Sequence, residues 1–178
     1  MQRIVASITT LGEHLEALGT NPEVYRPKAC PHCRLSGLWG HGCYHRKADR
    51  SAGSGASRNP VPVLRYLCRG CLRTCSRLPL CIAPRRWYDW AVQQVVLALL
   101  LAGCSVHLCG RCTGRARRTV RRWRDWLGRR SETFTFFLRS RFAQLGRTAD
   151  HASFWRNVLA GMSLAQAMAW LDAQLNVP

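Results

Sequence analysis

The chain has 178 residues, 27 of them lysine or arginine against nine acids, for a formal charge of +18. That excess is far beyond what solubility requires and implies a polyanionic partner, nucleic acid before any other. The length accommodates one ordinary domain or two small ones, and the most apolar run, Val95 to Ala102, falls well short of the ~20 residues that span a bilayer.

The charge is focused. Residues 61–130 hold 15 of the basic side chains and only Asp89 and Asp125 as acids. Lys28 and Lys47 are the only lysines, a bias that a GC-rich genome also produces, but genome composition does not account for the shortage of carboxylates. The ten cysteines follow an N-terminus that lacks a long apolar core and a small-residue cleavage site, so a reducing cytoplasm is expected and the Cys-x-x-Cys pairs read as metal ligands rather than disulfides.

In chain order, Ile4, Val5, Ile8, Leu11, Leu15 and Leu18 recur at helical spacing until Gly19, Asn21 and Pro22, which predicts an N-terminal helix within residues 1–24. Residues 25–80 then contain two knuckles, Cys30-Pro-His-Cys33 and Cys68-Arg-Gly-Cys71. Each such turn supplies two thiolates, and four thiolates close a tetrahedral site, so Cys30, Cys33, Cys68 and Cys71 are expected to hold Zn2+ in a zinc ribbon. Gly70 is expected to provide the permissive turn of the second knuckle. Between the knuckles, GLWGHGCYHRK reads as strand or hairpin, residues 50–60 as a flexible loop, and VPVLRYL as a returning strand. His41, Cys43 and His45 alternate and share a face in a regular strand, but with four thiolates already present they are surface residues. His32 keeps its ring free for phosphate or solvent.

Pro79 and Pro84 bracket a connector, after which residues 85–130 have the order of a helix-turn-helix: a helix from Trp87 to Ala102, a stop at Gly103, a short helix capped by Ser105, a turn at Thr113-Gly114, and an arginine-rich helix. In that last helix Ala116, Val120, Trp123 and Leu127 stack on one face. Arg118, Arg121 and Arg122 then point away as base readers, with Asp125 placed to orient Arg121, while Arg85, Arg86, Arg115, Arg117 and Arg124 are expected to neutralise phosphates. Cys109 and Cys112 make a third Cys-x-x-Cys, but without partner ligands they read as part of a short packed helix, and Cys81 and Cys104 as small core residues. Residues 131–178 are far less basic. Phe134, Phe137, Leu138 and Phe142 suggest one helix and a segment capped by Ser163 another, which complete the core or form a homodimer surface. The expected class is α+β, mainly α.

The run YLCRGCLRTCSRL from Tyr66 to Leu78, followed by APRRWYDW, a long apolar helix, GCS and RARRTVRRW, resembles the N-terminal region of bacterial insertion-sequence transposases. In that family a zinc ribbon precedes a helix-turn-helix that binds element ends, and the likeness covers roughly residues 25–130. It implies a packing role for Cys75, which stands where such ribbons commonly carry an aromatic. Those transposases continue into an RNase H-like domain bearing three metal-binding carboxylates, whereas here only Glu132, Asp150 and Asp172 follow Arg130, on helical segments. The expectation is therefore a sequence-specific double-stranded DNA-binding protein without catalytic activity, cytoplasmic and nucleoid-associated, acting as a transposition accessory to a transposase or representing a truncated one. The alternative is a protein-interaction adaptor or transcription regulator that docks through the ribbon, for which exposure of Trp39, Tyr44 and Tyr66 would speak.

Overall fold

The β-branched and aromatic residues of VPVLRYLC alternate between two covered faces, and this strand organises the first half of the computed structural model, which describes residues 2–49, 56–84, 87–148 and 150–175. The fold is mixed α/β, with six α-helices and a four-stranded sheet among the described residues. Two units are distinguishable, the first running to Asp89 and the second spanning Trp90–Gln174.

In the first unit the strands are β1 (Gln2–Val5), β2 (Leu38–Arg46), β3 (Val61–Cys68) and β4 (Thr74–Pro79), in spatial order β1-β4-β3-β2. β1 runs parallel to β4, and the β2–β3 and β3–β4 pairs are antiparallel. On one face Leu38, Tyr66 and Cys75 pack with Val5, Ile8 and Tyr25; on the other, Val61, Val63 and Leu78 pack with Ile82.

The expected single helix over residues 3–18 is corrected here. Its first residues form β1, with Ile4 opposite Leu78 and Val5 opposite Pro79, and helix α1 covers only Leu11–Thr20. The start is set by a capping box. Thr10 Oγ1 accepts from the Glu13 N–H at 3.1 Å, and Glu13 Oε2 accepts from the Thr10 N–H at 3.3 Å. The neighbouring Thr9 N–H also donates to that carboxylate and is the main reason its pKa lies below the ordinary value.

α1 buries a polar residue, His14, between the Tyr25 hydroxyl (Nδ1, 2.5 Å) and the Pro62 carbonyl oxygen (Nε2, 2.8 Å), tying helix to sheet. Burial pushes its pKa below the ordinary 6.5. Between those two values the unfolded chain takes up a proton that the folded chain refuses. His14's contribution to stability is therefore complete above pH 6.5 and declines as the pH falls through that window. Urea melts of metal-saturated protein at pH 7.5 and 5.5 should show a larger loss for the wild type than for His14→Gln. Equal losses would remove His14 as the cause.

The second unit contains α2 (Trp90–Leu101), α3 (Val106–Thr113), α4 (Arg117–Arg141), α5 (His151–Gly161) and α6 (Leu164–Gln174). Gly103, with φ of +92°, ends the segment after α2 as expected. The helix expected around Phe134 to Phe142 is not separate: α4 runs unbroken to Arg141, burying Val120, Trp123, Leu127, Phe134 and Leu138 along one stripe. α5 was not anticipated. Its cap is Asp150, whose side chain accepts from the Ser153 N–H at 2.9 Å. Before α6 the expected Ser163 cap is present and is made reciprocal by Gln166, with Gln166 N–H donating to Ser163 Oγ at 3.2 Å and Ser163 N–H to Gln166 Oε1 at 2.9 Å. No helix among the described residues is long and apolar enough to cross a membrane.

Candidate metal centre and basic helix

The two knuckles have the same backbone. In each, the N–H four residues after the first cysteine donates to that cysteine's carbonyl (Arg34 to Cys30, 2.8 Å; Leu72 to Cys68, 2.9 Å). The cysteine N–H then donates one residue further on (Cys30 to Leu35 O, 2.8 Å; Cys68 to Arg73 O, 3.0 Å). Closing such a loop requires one left-handed residue, which falls just after each second cysteine, at Arg34 (φ 63°) and Leu72 (φ 53°). Gly70 is not that residue, so the expected reason for its presence is corrected: a Cβ there would lie 2.2 Å from Cδ1 of Leu35, which follows the other knuckle.

The four sulfurs of Cys30, Cys33, Cys68 and Cys71 lie within 4.8 Å of one another, with Cys30–Cys71 at 3.7 Å and Cys33–Cys68 at 3.5 Å. Zinc–thiolate bonds of ~2.3 Å at tetrahedral angles separate sulfurs by ~3.8 Å, so the cluster has the dimensions of a four-thiolate ion site. The N–H of Cys71, and then that of Gly70, draw the Cys68 thiol down to about 6. At Cys33 the N–H of Leu35 acts in the same direction, but desolvation and sharing among the neighbouring thiols outweigh it and leave the group at about 11. A bound ion would deprotonate all four. Soft sulfur donors without carboxylates suit zinc or another thiophilic ion.

Among the described residues no other group of three or more His, Cys, Asp or Glu side chains has metal-binding geometry. The register slips between Gly40 and Cys43, so the strict alternation expected for His41, Cys43 and His45 is broken. Cys75 is buried at 2 % exposure beside the knuckle cysteines, in a packing position. Cys109 is buried, Cys112 exposed, and Cys81 and Cys104 half-buried.

In the second unit α3 is capped by Ser105, whose side chain accepts from the Leu108 N–H at 3.2 Å, and it ends at Gly114 in the left-handed conformation. The turn into α4 passes closely over α3: a Cβ on Gly110 would sit 2.9 Å from the Arg115 carbonyl oxygen. Arg115 is thereby a half-buried turn residue, less available to a phosphate than expected. Arg117, Arg118, Arg121, Arg122 and Arg124 are exposed; Arg118, Arg121 and Arg122 lie opposite the buried Val120, Trp123 and Leu127, and Arg117 and Arg124 on the flanks of that stripe. Asp125 pairs with Arg124 at 3.1 Å, which corrects its expected role beside Arg121. Arg118, Arg121, Arg122 and Asp125 line one shallow groove of about 410 Å3, together with Arg129, a residue that the sequence reading passed over although it lies eleven positions after Arg118 and so recurs on the same helical face. Arg85 and Arg86 lie outside the described residues.

Of the three aromatics that would favour a docking role, Trp39 is exposed, Tyr44 half-buried and Tyr66 buried. No known protein family, curated protein or solved structure matches this chain.

Proposed function

We propose that this chain is a sequence-specific duplex DNA-binding protein, in which a zinc ribbon built on Cys30, Cys33, Cys68 and Cys71 accompanies a helix-turn-helix formed by α3 and α4, and that it serves transposition. The observation that carries this reading is the arginine stripe of α4, exposed along the face opposite Val120, Trp123 and Leu127 and directly after a tight, glycine-locked turn. A second observation supports it. α4 opens with Arg117 and Arg118, has no acid in its first turn and no side-chain cap, which is the reverse of what the helix dipole favours. A DNA phosphate at that end would offset the misfit.

Arg118, Arg121 and Arg122 would meet base edges, and Arg117 and Arg124 phosphates. Each arginine bonded bidentately to guanine contributes roughly 1–3 kcal/mol of discrimination. The test is a titration of the metal-loaded protein against duplexes from the borders of its own locus and against shuffled duplexes, at several salt concentrations. The wild type should prefer the border sequence, and Arg118→Ala with Arg122→Ala should lose most of that preference. Arg117→Ala should weaken both duplexes alike and lower the salt slope by about one. Retention of the full preference by the double variant would sink the readout assignment.

A further inference from the structure

The face of the sheet that carries Val61, Val63 and Leu78 is covered over only part of its length. Those three pack against Ile82, with Leu11 and Cys81 beside them. Toward the knuckles the same face continues as a row across three strands: Trp39 on β2 is paired with Leu67 on β3, which is paired with Thr74 on β4. Trp39 is 58 % exposed, Thr74 is exposed and Leu67 half-buried. The row is stiff. Its neighbouring residue pair is Leu38 with the metal-ligand candidate Cys68, so the backbone that carries the indole lies in the strand ladder beside the four-cysteine cluster.

Arginines lie on the aromatic rings of this face. Arg69 lies over the Trp39 ring at 5.5 Å from its centroid, Arg65 lies over the Tyr44 ring at 5.5 Å, and exposed Arg73 lies in the β3–β4 turn, where its carbonyl accepts from the Cys68 N–H. The chain has no carboxylate between Glu23 and Asp49, and none between Asp49 and Asp89. An exposed indole set in arginines with no acid in either flanking segment is complementary to a ligand that brings its own anions and flat apolar faces together. An unpaired nucleotide strand does this at every residue, whereas a duplex hides its base faces in the stack and admits a helix or ribbon only through its grooves.

We propose that the Trp39–Leu67–Thr74 row is a binding site for single-stranded nucleic acid, with a base stacked on Trp39 and the adjoining phosphates on Arg65 and Arg69. A base that takes the place of Arg69 on the ring releases that guanidinium to the phosphate. The site belongs to the sheet unit and stands or falls independently of duplex readout by α4.

The experiment is fluorescence anisotropy of the full-length, metal-loaded chain with a labelled oligothymidine of about 15 nucleotides and with a duplex of equal length. Base stacking contributes about 1–3 kcal/mol per base, so Trp39→Ala should weaken single-strand binding roughly 5- to 150-fold. Trp39→Phe should recover most of it, and duplex affinity should change by less than about twofold. Arg118→Ala with Arg122→Ala should act mainly on the duplex. If Trp39→Ala binds less metal than the wild type, Arg69→Ala takes its place, with a selective single-strand loss again expected. Unchanged single-strand affinity in the variant that keeps its metal, equal losses on both nucleic acids, or capture of a protein through Trp39 by a chain that ignores single strands would each overturn the proposal.

Discussion

Chelating the metal, or replacing Cys68 by alanine, is expected to unfold the sheet unit while most of the helical signal survives. Cys30 and Cys68 are not appended to a finished core; they are buried members of the cluster that includes Val5, Ile8, Tyr25, Leu38, Tyr66 and Cys75. Structural zinc contributes ~10–16 kcal/mol to comparable small folds, which matches or exceeds the total stability of an ordinary domain. Without the ion, the cluster leaves four thiols crowded within 4.8 Å. The helical unit has its own buried set, including Val96, Trp123, Phe134, Trp155 and Leu171, and should keep its far-ultraviolet circular dichroism. Cobalt titration should give one tetrahedral, thiolate-ligated ion per chain, and Cys75→Ala should leave that stoichiometry at one. A chelated protein that resists proteolysis between residues 26 and 80 and melts as before would show the ion to be dispensable for folding.

The four-cysteine cluster was legible because its chemistry is local: two sulfurs per turn at a fixed spacing, with strands on either side to bring the turns together. The conformation of the knuckles was less so. Arg34 and Leu72 take the left-handed positions that composition would assign to glycine, since the backbone hydrogen bonds around Cys30 and Cys68 and the closure of the site over-determine them. β1 was misread as helix because Ile4, Val5 and Ile8 satisfy a helical period and a strand followed by a turn equally well. What separates the two is the partner strand Ser76–Pro79, which is 74 residues away in sequence, as with Gln2 and Ser76. The Thr10–Glu13 capping box was the local sign that the helix starts later.

In the helical unit the arginine helix was legible from its period, and of the expected inward positions Val120, Trp123 and Leu127 are buried, whereas Ala116 is the exposed residue just before the helix. Its length was not, because Gly128 and the polar run to Thr133 interrupt the pattern before Phe134 and Leu138 resume the same stripe. The pairing of Asp125 was equally hidden: helical spacing offers it Arg121 and Arg122, but its carboxylate meets the long side chain of its sequence neighbour Arg124 instead.

That resumed stripe sets up the sharpest stability contrast in the chain. Phe134→Ala should destabilise the helical unit by about 3–5 kcal/mol, whereas Phe136→Ala, two residues on, should change it by no more than about 0.5 kcal/mol. Phe134 is 1 % exposed and Phe136 67 %. The Phe134 ring sits edge-on to Trp126 of its own helix at 5.8 Å and to Trp155 of α5 at 6.2 Å, and Trp155 continues the chain of rings to Phe154 at 5.7 Å. Truncation removes both contacts and leaves a void in which two tryptophans would have to shift together. Phe136 contacts Phe137 at 5.2 Å on the surface, and alanine's better helix propensity offsets part of what that contact contributes. Urea melts followed by tryptophan fluorescence would read the difference, with cobalt stoichiometry as the control. Both variants should keep one ion, since the knuckles lie in the other unit. If Phe134→Ala were tolerated as well as Phe136→Ala, the ring cluster would not hold α4 to α5, and the second half of α4 would contribute little to holding its arginine-bearing first half in place.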